Sequence, residues 1–368
     1  MIKKAFIVLV ILTCFPAVCL ASEDVFDAQY NALKLYKLES SVPASARERN
    51  IRVSKNTSLD EGLNGIFRKT KSQVGGILKK GLRCIVAIIA IAALCALAAS
   101  IGDSENSGTV AACVSAVGAI AVTASAAGGV SGIIGMGSSA ISDINAFSKA
   151  LLPSLAAACA ACGAPASAAA RYGISIMFVD VVITVISSVM LPLVYAYLAA
   201  STADAAFKNV SLAKICDFIK WLVTNSLKIL LSVFVVYITV SGIVSSTVDV
   251  IGVKTARFAI SGAVPVVGGV IADAAETVVA GALVMKNSIG VFGMLVILSI
   301  CVTPFLTIAV NYLLFKAASC VCAPICGDKL SRLIDNIGAG FGIVLGMTGA
   351  CAMLMFMSII LSMLMFGG

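Results

Sequence analysis

The sequence predicts an all-α membrane protein: a polytopic bundle of helices, some re-entrant or broken, that follows a cleavable signal peptide. Of the 368 residues, 60% are hydrophobic and only 12% are charged, so the chain lacks the polar surface of a soluble domain. Apolar windows of about 20 residues, long enough to cross the hydrocarbon core, recur along the chain. They lie near residues 82–101, 109–128, 174–200, 227–248, 289–315 and 340–366.

Residues 1–21 have the pattern of a secretory signal peptide. Lys3 and Lys4 precede a short apolar run, Pro16 breaks that run, and Ala21 is a small residue suited to the cleavage position. An uncleaved first span is the alternative, because the same pattern can anchor a chain. In both cases, residues 22–80 are expected to be exported.

The exported segment 22–80 contains a predicted basic amphipathic helix. Its apolar residues recur at spacings of three and four, and its other face is basic. Such a helix suits an anionic lipid surface or a partner protein, and both interpretations remain open. The apolar positions are Leu59, Leu63, Ile66, Phe67, Val74, Ile77, Leu78 and Leu82, and the basic ones are Arg68, Lys69, Lys71, Lys79 and Lys80.

Residues 81–368 form the predicted membrane domain, with about five to seven membrane segments. Lysines at 208, 214, 220 and 228 are expected in a loop after the 174–200 window, and Lys316, Lys329 and Arg332 before the last window. Their charge favours the cytoplasmic side for both loops. This orientation requires residues 151–173 to form a hairpin that does not cross, broken by Pro153, Gly163 and Pro165.

The stretch SGAVPVVGGVIADAAET, residues 261–277, is the strongest candidate for a polar site inside the membrane. Pro265, Gly268 and Gly269 open the helical hydrogen-bond ladder, as expected of a re-entrant hairpin. Asp273 and Glu276 share a helix face. The favoured interpretation is that they pair with Lys254 or Arg257 and hold the hairpin in place. The alternative is that they line a water-filled path.

Small residues recur every four positions in two segments and predict faces where helices approach closely. The first set is Gly338, Gly342, Gly346 and Ala350, and the second is Ala124, Gly128 and Gly132. Such faces suit packing within one chain or between copies. Asp180, inside an apolar window, is expected to make an interhelical hydrogen bond or, as the alternative, to line a water-filled path.

Catalytic and metal-binding chemistry find little support. The chain has no histidine, which excludes histidine-based triads and metal sites. Cys320, Cys322 and Cys326, or Cys159 and Cys162, could bind metal or form disulfides, but neither spacing is strong. No enzyme activity, metal or cofactor is expected. Nucleic-acid binding is not expected either, because the net charge of +8 is spread over short loops.

The run KTARFAISGAVPVVGGVIADAAETVVAGALVMKNSIG, residues 254–290, resembles the stage III sporulation protein AE family of endospore-forming bacteria. The resemblance extends through the later windows and, more loosely, back to the signal peptide. It implies a structural component, made in the mother cell and placed in the outer forespore membrane. It also implies a channel to the forespore, assembled with membrane partners that include an ATPase and ring-forming subunits. The resemblance assigns no catalytic residue.

A second class of function remains open from the residues alone. A stand-alone secondary transporter or permease would use Asp273 and Glu276 as its polar site. The bilayer is a partner in both interpretations, since the protein is expected to be a multi-pass membrane protein.

Overall fold

The computed structural model describes residues 26–47, 51–54, 59–101, 107–163, 165–207, 212–237 and 268–364. All regular structure in these ranges is helical, which confirms the predicted all-α class. Six helices in the same ranges are long and apolar enough to cross a membrane, and each of the six apolar windows overlaps one of them. The signal peptide, residues 1–21, lies outside the described residues and stays a prediction.

Ten α-helices follow one another in the described ranges. One π-helical turn, Ile186–Met190, joins α6 to α7. There the Leu191 N–H donates to the Ile186 carbonyl five residues earlier, and the next residue, Pro192, has no N–H to give. The helices are α1 (26–32), α2 (Leu35–Ser40), α3 (Ala44–Arg47), α4 (Leu59–Ile101), α5 (Ser107–Ala161), α6 (Pro165–Val185), α7 (Leu191–Ala206), α8 (Ala213–Tyr237), α9 (Gly268–Cys326) and α10 (Asp328–Leu364).

Two helices are far longer than a bilayer requires. The 55 residues of α5 and the 59 residues of α9 correspond to about 80–90 Å of helix, against a hydrocarbon core of about 30 Å. Pro153 lies inside α5 without ending it. The turn to α6 comes later, at Gly163, whose φ of 99° suits glycine. Residues 151–173 therefore contain one helix end, a turn and the start of the next helix.

The centre of the bundle is the pair α9 and α10. The most apolar stretch of each is 56% buried, whereas the corresponding stretch is 17% buried in α4 and 11% buried in α8. Phe315 of α9 and Phe341 of α10 meet edge to face, with ring centroids 5.2 Å apart. The helices α4 and α8 thus lie at the periphery and turn apolar surface outward.

The basic segment of the sequence is part of the bundle. The helix α4 runs without interruption across residue 80, the expected end of the exported segment. Its inward face consists of Gly62, Ile66, Thr70 and Gly81, and a Cβ at Gly62 would lie 2.5 Å from Leu295 of α9. Phe67 of the predicted apolar stripe is 58% exposed. The segment packs along α9 through Ile66 of the predicted apolar stripe and through small residues that the stripe did not include.

Several lysines that the sequence places in loops belong to helices. Lys214, Lys220 and Lys228 lie on α8, and Lys316 lies inside α9. Only residues 207–212 separate α7 from α8, and only Gly327 separates α9 from α10, because the helices continue past the apolar windows. The expected cytoplasmic orientation of these lysines stays a prediction.

The short helices α1 to α3 pack against the bundle. Leu35 and Leu38 are buried, and the Glu39 carboxylate accepts the Val53 N–H at 2.8 Å. Burial and the neighbouring Glu39 raise the pKa of Tyr30. The Ser45 hydroxyl donates to the Asp143 carboxylate of α5 at 2.7 Å. The Ser45–Asp143 bond attaches the amino-terminal segment to the carboxyl-terminal half of α5.

Candidate functional site

The predicted polar hairpin is described only in part. Lys254, Arg257 and Pro265 lie outside the described residues. Gly268 and Gly269 are the first residues of α9, and the acids at 273 and 276 follow in its first turns. The helical backbone places the two acids one turn apart. Their pairing with Lys254 or Arg257 stays a prediction.

Neutralising both acids tests that pairing. If Asp273 and Glu276 are architectural partners, Asp273→Asn with Glu276→Gln is expected to lower protein accumulation, because a cation in the membrane loses its partner. Neutralising the matching cation, Lys254 or Arg257, should then restore part of the accumulation. Membrane protein levels and spore yield are measured together. Normal levels with lost sporulation would instead indicate a water-filled path.

The glycine row of α10 meets two different helices. A Cβ at Gly338 would lie 3.1 Å from the Phe315 Cβ, and one at Gly342 would lie 3.0 Å from the Tyr312 ring, both on α9. A Cβ at Gly346 would lie 3.4 Å from Leu227 of α8, an ordinary contact. Ala350 is buried. The row therefore packs tightly against α9 at Gly338 and Gly342, and more loosely against α8 at Gly346.

The second row of small residues, on α5, faces open space. A Cβ at Gly128 or Gly132 would have nothing within 4 Å among the described residues, and Ala124 is exposed. The row consequently makes no close helix contact within the described chain, although its spacing matches that of the α10 row. It forms one wall of a groove.

This α4–α5 groove consists of two adjoining cavities between α4 and α5. The first has a volume of about 770 Å³, with α9 and α10 as its floor. The second has a volume of about 550 Å³ and shares Gln73 and Met136 with the first. Most of the lining is apolar, but Lys80 of α4 and Asn311 of α9 also face the first cavity. The residue pattern did not predict this groove.

A polar cluster joins α7, α9 and α10 on the other side of the bundle. Lys316 of α9 forms an ion pair with Asp335 of α10 at 2.6 Å. The Tyr197 hydroxyl of α7 donates to the Asn336 side chain at 3.0 Å. One turn before Asp335, Ser331 exchanges hydrogen bonds with Ser319 of α9. The Ser319 hydroxyl donates to the Ser331 carbonyl at 3.1 Å, and the Ser331 hydroxyl donates to the Ser319 carbonyl at 3.0 Å. Within apolar helices these bonds fix the register of α9 against α10.

The residue pattern did not predict this cluster. Lys316 follows an apolar window, which predicts a loop position for it, and the pattern predicts no site at Asp335 or Asn336. The available signal was the four-residue spacing of Ser331 and Asp335, which puts two polar side chains on one face of the helix.

Lys286 of α9 is the most deeply buried charged side chain that the structure describes. It is 1% exposed, and its ammonium donates to the Met363 carbonyl at 2.9 Å. Carbonyls in the last turn of a helix have no intrahelical donor and carry a partial negative charge. Lys286 therefore supplies a donor to the end of α10 and connects it to α9.

Asp180 does make an interhelical contact, but in a more exposed position than expected. Its carboxylate lies 3.0 Å from the Lys149 ammonium of α5, and both side chains are about half exposed. The contact is an ion pair on the outside of the bundle between α5 and α6.

The cysteines of the described ranges are all thiols. Cys159 and Cys162 are buried at the end of α5, and the Cys159 thiol lies 3.6 Å from the Ser362 carbonyl of α10. The Cys326 thiol lies 3.1 Å from the Cys322 carbonyl in the same helix. Within the ranges that the structure describes, no three histidine, cysteine or acidic side chains are grouped to hold a metal ion.

Long apolar helices around a buried α9–α10 pair define a multi-pass helical membrane protein. The family described as stage III sporulation protein AE (spore_III_AE) matches residues 48–366. The chain belongs to this family.

One relative in that family is the stage III sporulation protein AE of Bacillus subtilis (strain 168). The two proteins are 21% identical over 193 residues, which cover 52% of this chain and 48% of the relative. The matched part thus spans about half the length of that relative. No solved structure matches the chain.

Proposed function

We propose that this protein is a structural membrane component of a channel complex between the mother cell and the forespore. It would reside in the mother-cell (outer forespore) membrane and act with other membrane proteins of the sporulation apparatus, including an ATPase and ring-forming subunits. Membership of a sporulation family over residues 48–366 is the observation that carries this proposal. The family relationship supports the developmental role, and the channel and its partners are inferred from it.

The exposed helices support a role inside an assembly. The most apolar stretches of α4 and α8 are only 17% and 11% buried within the chain. Each therefore has a broad apolar surface available to lipid or to neighbouring proteins. Lys286 lies in the bundle interior, and the polar cluster lies at the partly exposed contact of α7, α9 and α10; both hold the helices in register.

Deletion of the gene tests the proposal. We expect vegetative growth at the parental rate and a block in development after the forespore has been engulfed. Growth curves, heat-resistant spore counts and microscopy with a membrane dye measure the outcome. A second copy of the intact gene at another locus is the control and should restore spore yield.

Two results would contradict the proposal. Normal spore yield in the deletion strain would remove the developmental role. A growth defect that depends on one nutrient would favour the stand-alone transporter.

Isolation of the tagged protein from sporulating membranes then tests the assembly itself, because a solitary species after mild solubilisation argues against a complex.

A further inference from the structure

The α4–α5 groove lies where α4 changes from a basic helix to an apolar one. Lys79, Lys80 and Arg83 are exposed at this transition, and Leu82 begins the apolar window. Among the described residues, none of these three cations has an ion-pair partner. Unpaired cations beside an apolar helix half are typical of the boundary between hydrocarbon and headgroups.

The order of side chains along the groove is polar at one end and apolar at the other. At the polar end, the Thr303 hydroxyl lies 3.3 Å from the Gln73 carbonyl oxygen, which leaves the Gln73 amide nitrogen to donate elsewhere. Asn311 follows next to Gly81, and Phe315 and Phe341 line the far end. Lys80 lies between the two ends.

Glycines make the wall of the groove flat. A Cβ at Gly76 of α4 or at Gly128, Gly129 or Gly132 of α5 would meet nothing within 4 Å in the described chain. The first cavity has a volume of about 770 Å³, within the range of small-molecule sites, about 300–1,000 Å³. The space is large enough for a flexible acyl chain along the flat wall.

The second cavity contains a hydroxyl without a partner. Ser299 is 2% exposed and lines this cavity, and its Oγ has no hydrogen-bond partner among the described residues. A buried hydroxyl without a partner is costly, so a polar group of a ligand is expected there. Asp143, at the same cavity, accepts a hydrogen bond from Ser45 and has further acceptor capacity.

We propose that the α4–α5 groove binds one anionic phospholipid with a hydroxyl-bearing headgroup, such as phosphatidylglycerol. An acyl chain lies along the glycines of α5 towards Phe315 and Phe341. The phosphate lies against Lys80 and the Gln73 amide nitrogen. The headgroup hydroxyls extend into the second cavity towards Ser299 and Asp143, whose acceptors suit hydroxyls.

Native mass spectrometry of the full-length protein tests this site. The protein is purified in detergent and titrated with phosphatidylglycerol or, separately, with phosphatidylcholine. We expect one tightly bound phosphatidylglycerol, weakened about fivefold by Lys80→Gln, as removal of one cation near an anionic lipid implies. Gly129→Leu should weaken the binding of both lipids because its side chain fills the open groove.

Lys71→Gln is the matched control, because it removes one exposed cation from the same helix outside both cavities. It should leave phosphatidylglycerol binding unchanged, and circular dichroism should show all three variants folded. Equal weakening by Lys71→Gln and Lys80→Gln would overturn the site in favour of general surface charge. Equal binding of both lipids would also overturn it. So would a lipid-free dimer that Gly129→Leu dissociates, since the groove would then hold a second copy.

Discussion

Replacing Gly338 with leucine is expected to prevent stable accumulation of the protein. A Cβ at this position would lie 3.1 Å from the Phe315 Cβ and 3.6 Å from the Lys316 backbone nitrogen. Neither atom can move away without displacing α9 itself. Overpacking of a well-packed core costs about 1–3 kcal/mol, and we expect the upper part of that range. Immunoblots of membrane fractions and thermal unfolding of the purified protein measure the effect.

The same helix provides a graded control series. Gly342→Leu meets the Tyr312 ring at 3.0 Å, a side chain that can rotate, so its effect should be smaller. Gly346 is exposed and a Cβ there meets only Leu227 at 3.4 Å, so Gly346→Leu should accumulate at nearly the normal level. Equal accumulation of Gly338→Leu and Gly346→Leu would show that the α9–α10 contact does not limit stability.

The two glycine rows show what residue spacing predicts and what it leaves undecided. A four-residue repeat places residues on one helix face, and this holds for both α5 and α10. The repeat does not identify what the face meets. Gly338 meets the α9 backbone, whereas Gly128 faces open space among the described residues. That difference depends on which helices become neighbours, and helix adjacency is a property of the whole chain.

The composition predicted the fold class, but hydrophobicity identified the inward face of α4 only in part, since Ile66 of the apolar stripe is buried and Phe67 is exposed. In a soluble protein an exposed phenylalanine is costly, so apolar periodicity locates the core. In a bilayer, lipid is as apolar as the protein interior, and small residues mark helix contacts instead. Accordingly, in the apolar half of α4, Gly81 faces α9, while Leu82 and Val86 face outward.

Helix length explains why the polar cluster was missed. Lys316 follows an apolar window, and a lysine in that position predicts a loop. In the structure α9 continues to Cys326 before the turn at Gly327. The lysine therefore stays in the bundle, where it meets Asp335. The pairing is visible only after α9 and α10 are known to run side by side.

Removing the Asp335 carboxylate is expected to have the second largest effect. The Lys316 ammonium, 2.6 Å from Asp335 and about one-third exposed, would lose its charged partner between two apolar helices. Hydrogen bonds to charged groups contribute about 1.5–3 kcal/mol, and Asp335→Ala should lower the free energy of unfolding by a comparable amount. Unfolding of the detergent-solubilised protein, followed by circular dichroism in denaturant, measures the loss.

A double substitution separates the contribution of the ion pair to the free energy of unfolding from the contribution of side-chain packing. Lys316→Met combined with Asp335→Leu should recover part of the stability, because it removes both charges and leaves apolar side chains in their place. Asp217→Ala is the matched control, since Asp217 is an exposed aspartate of α8 without an ion-pair partner among the described residues. It should leave stability unchanged. If Asp335→Ala and Asp217→Ala unfolded at the same denaturant concentration, the Lys316–Asp335 pair would contribute nothing to holding α9 against α10.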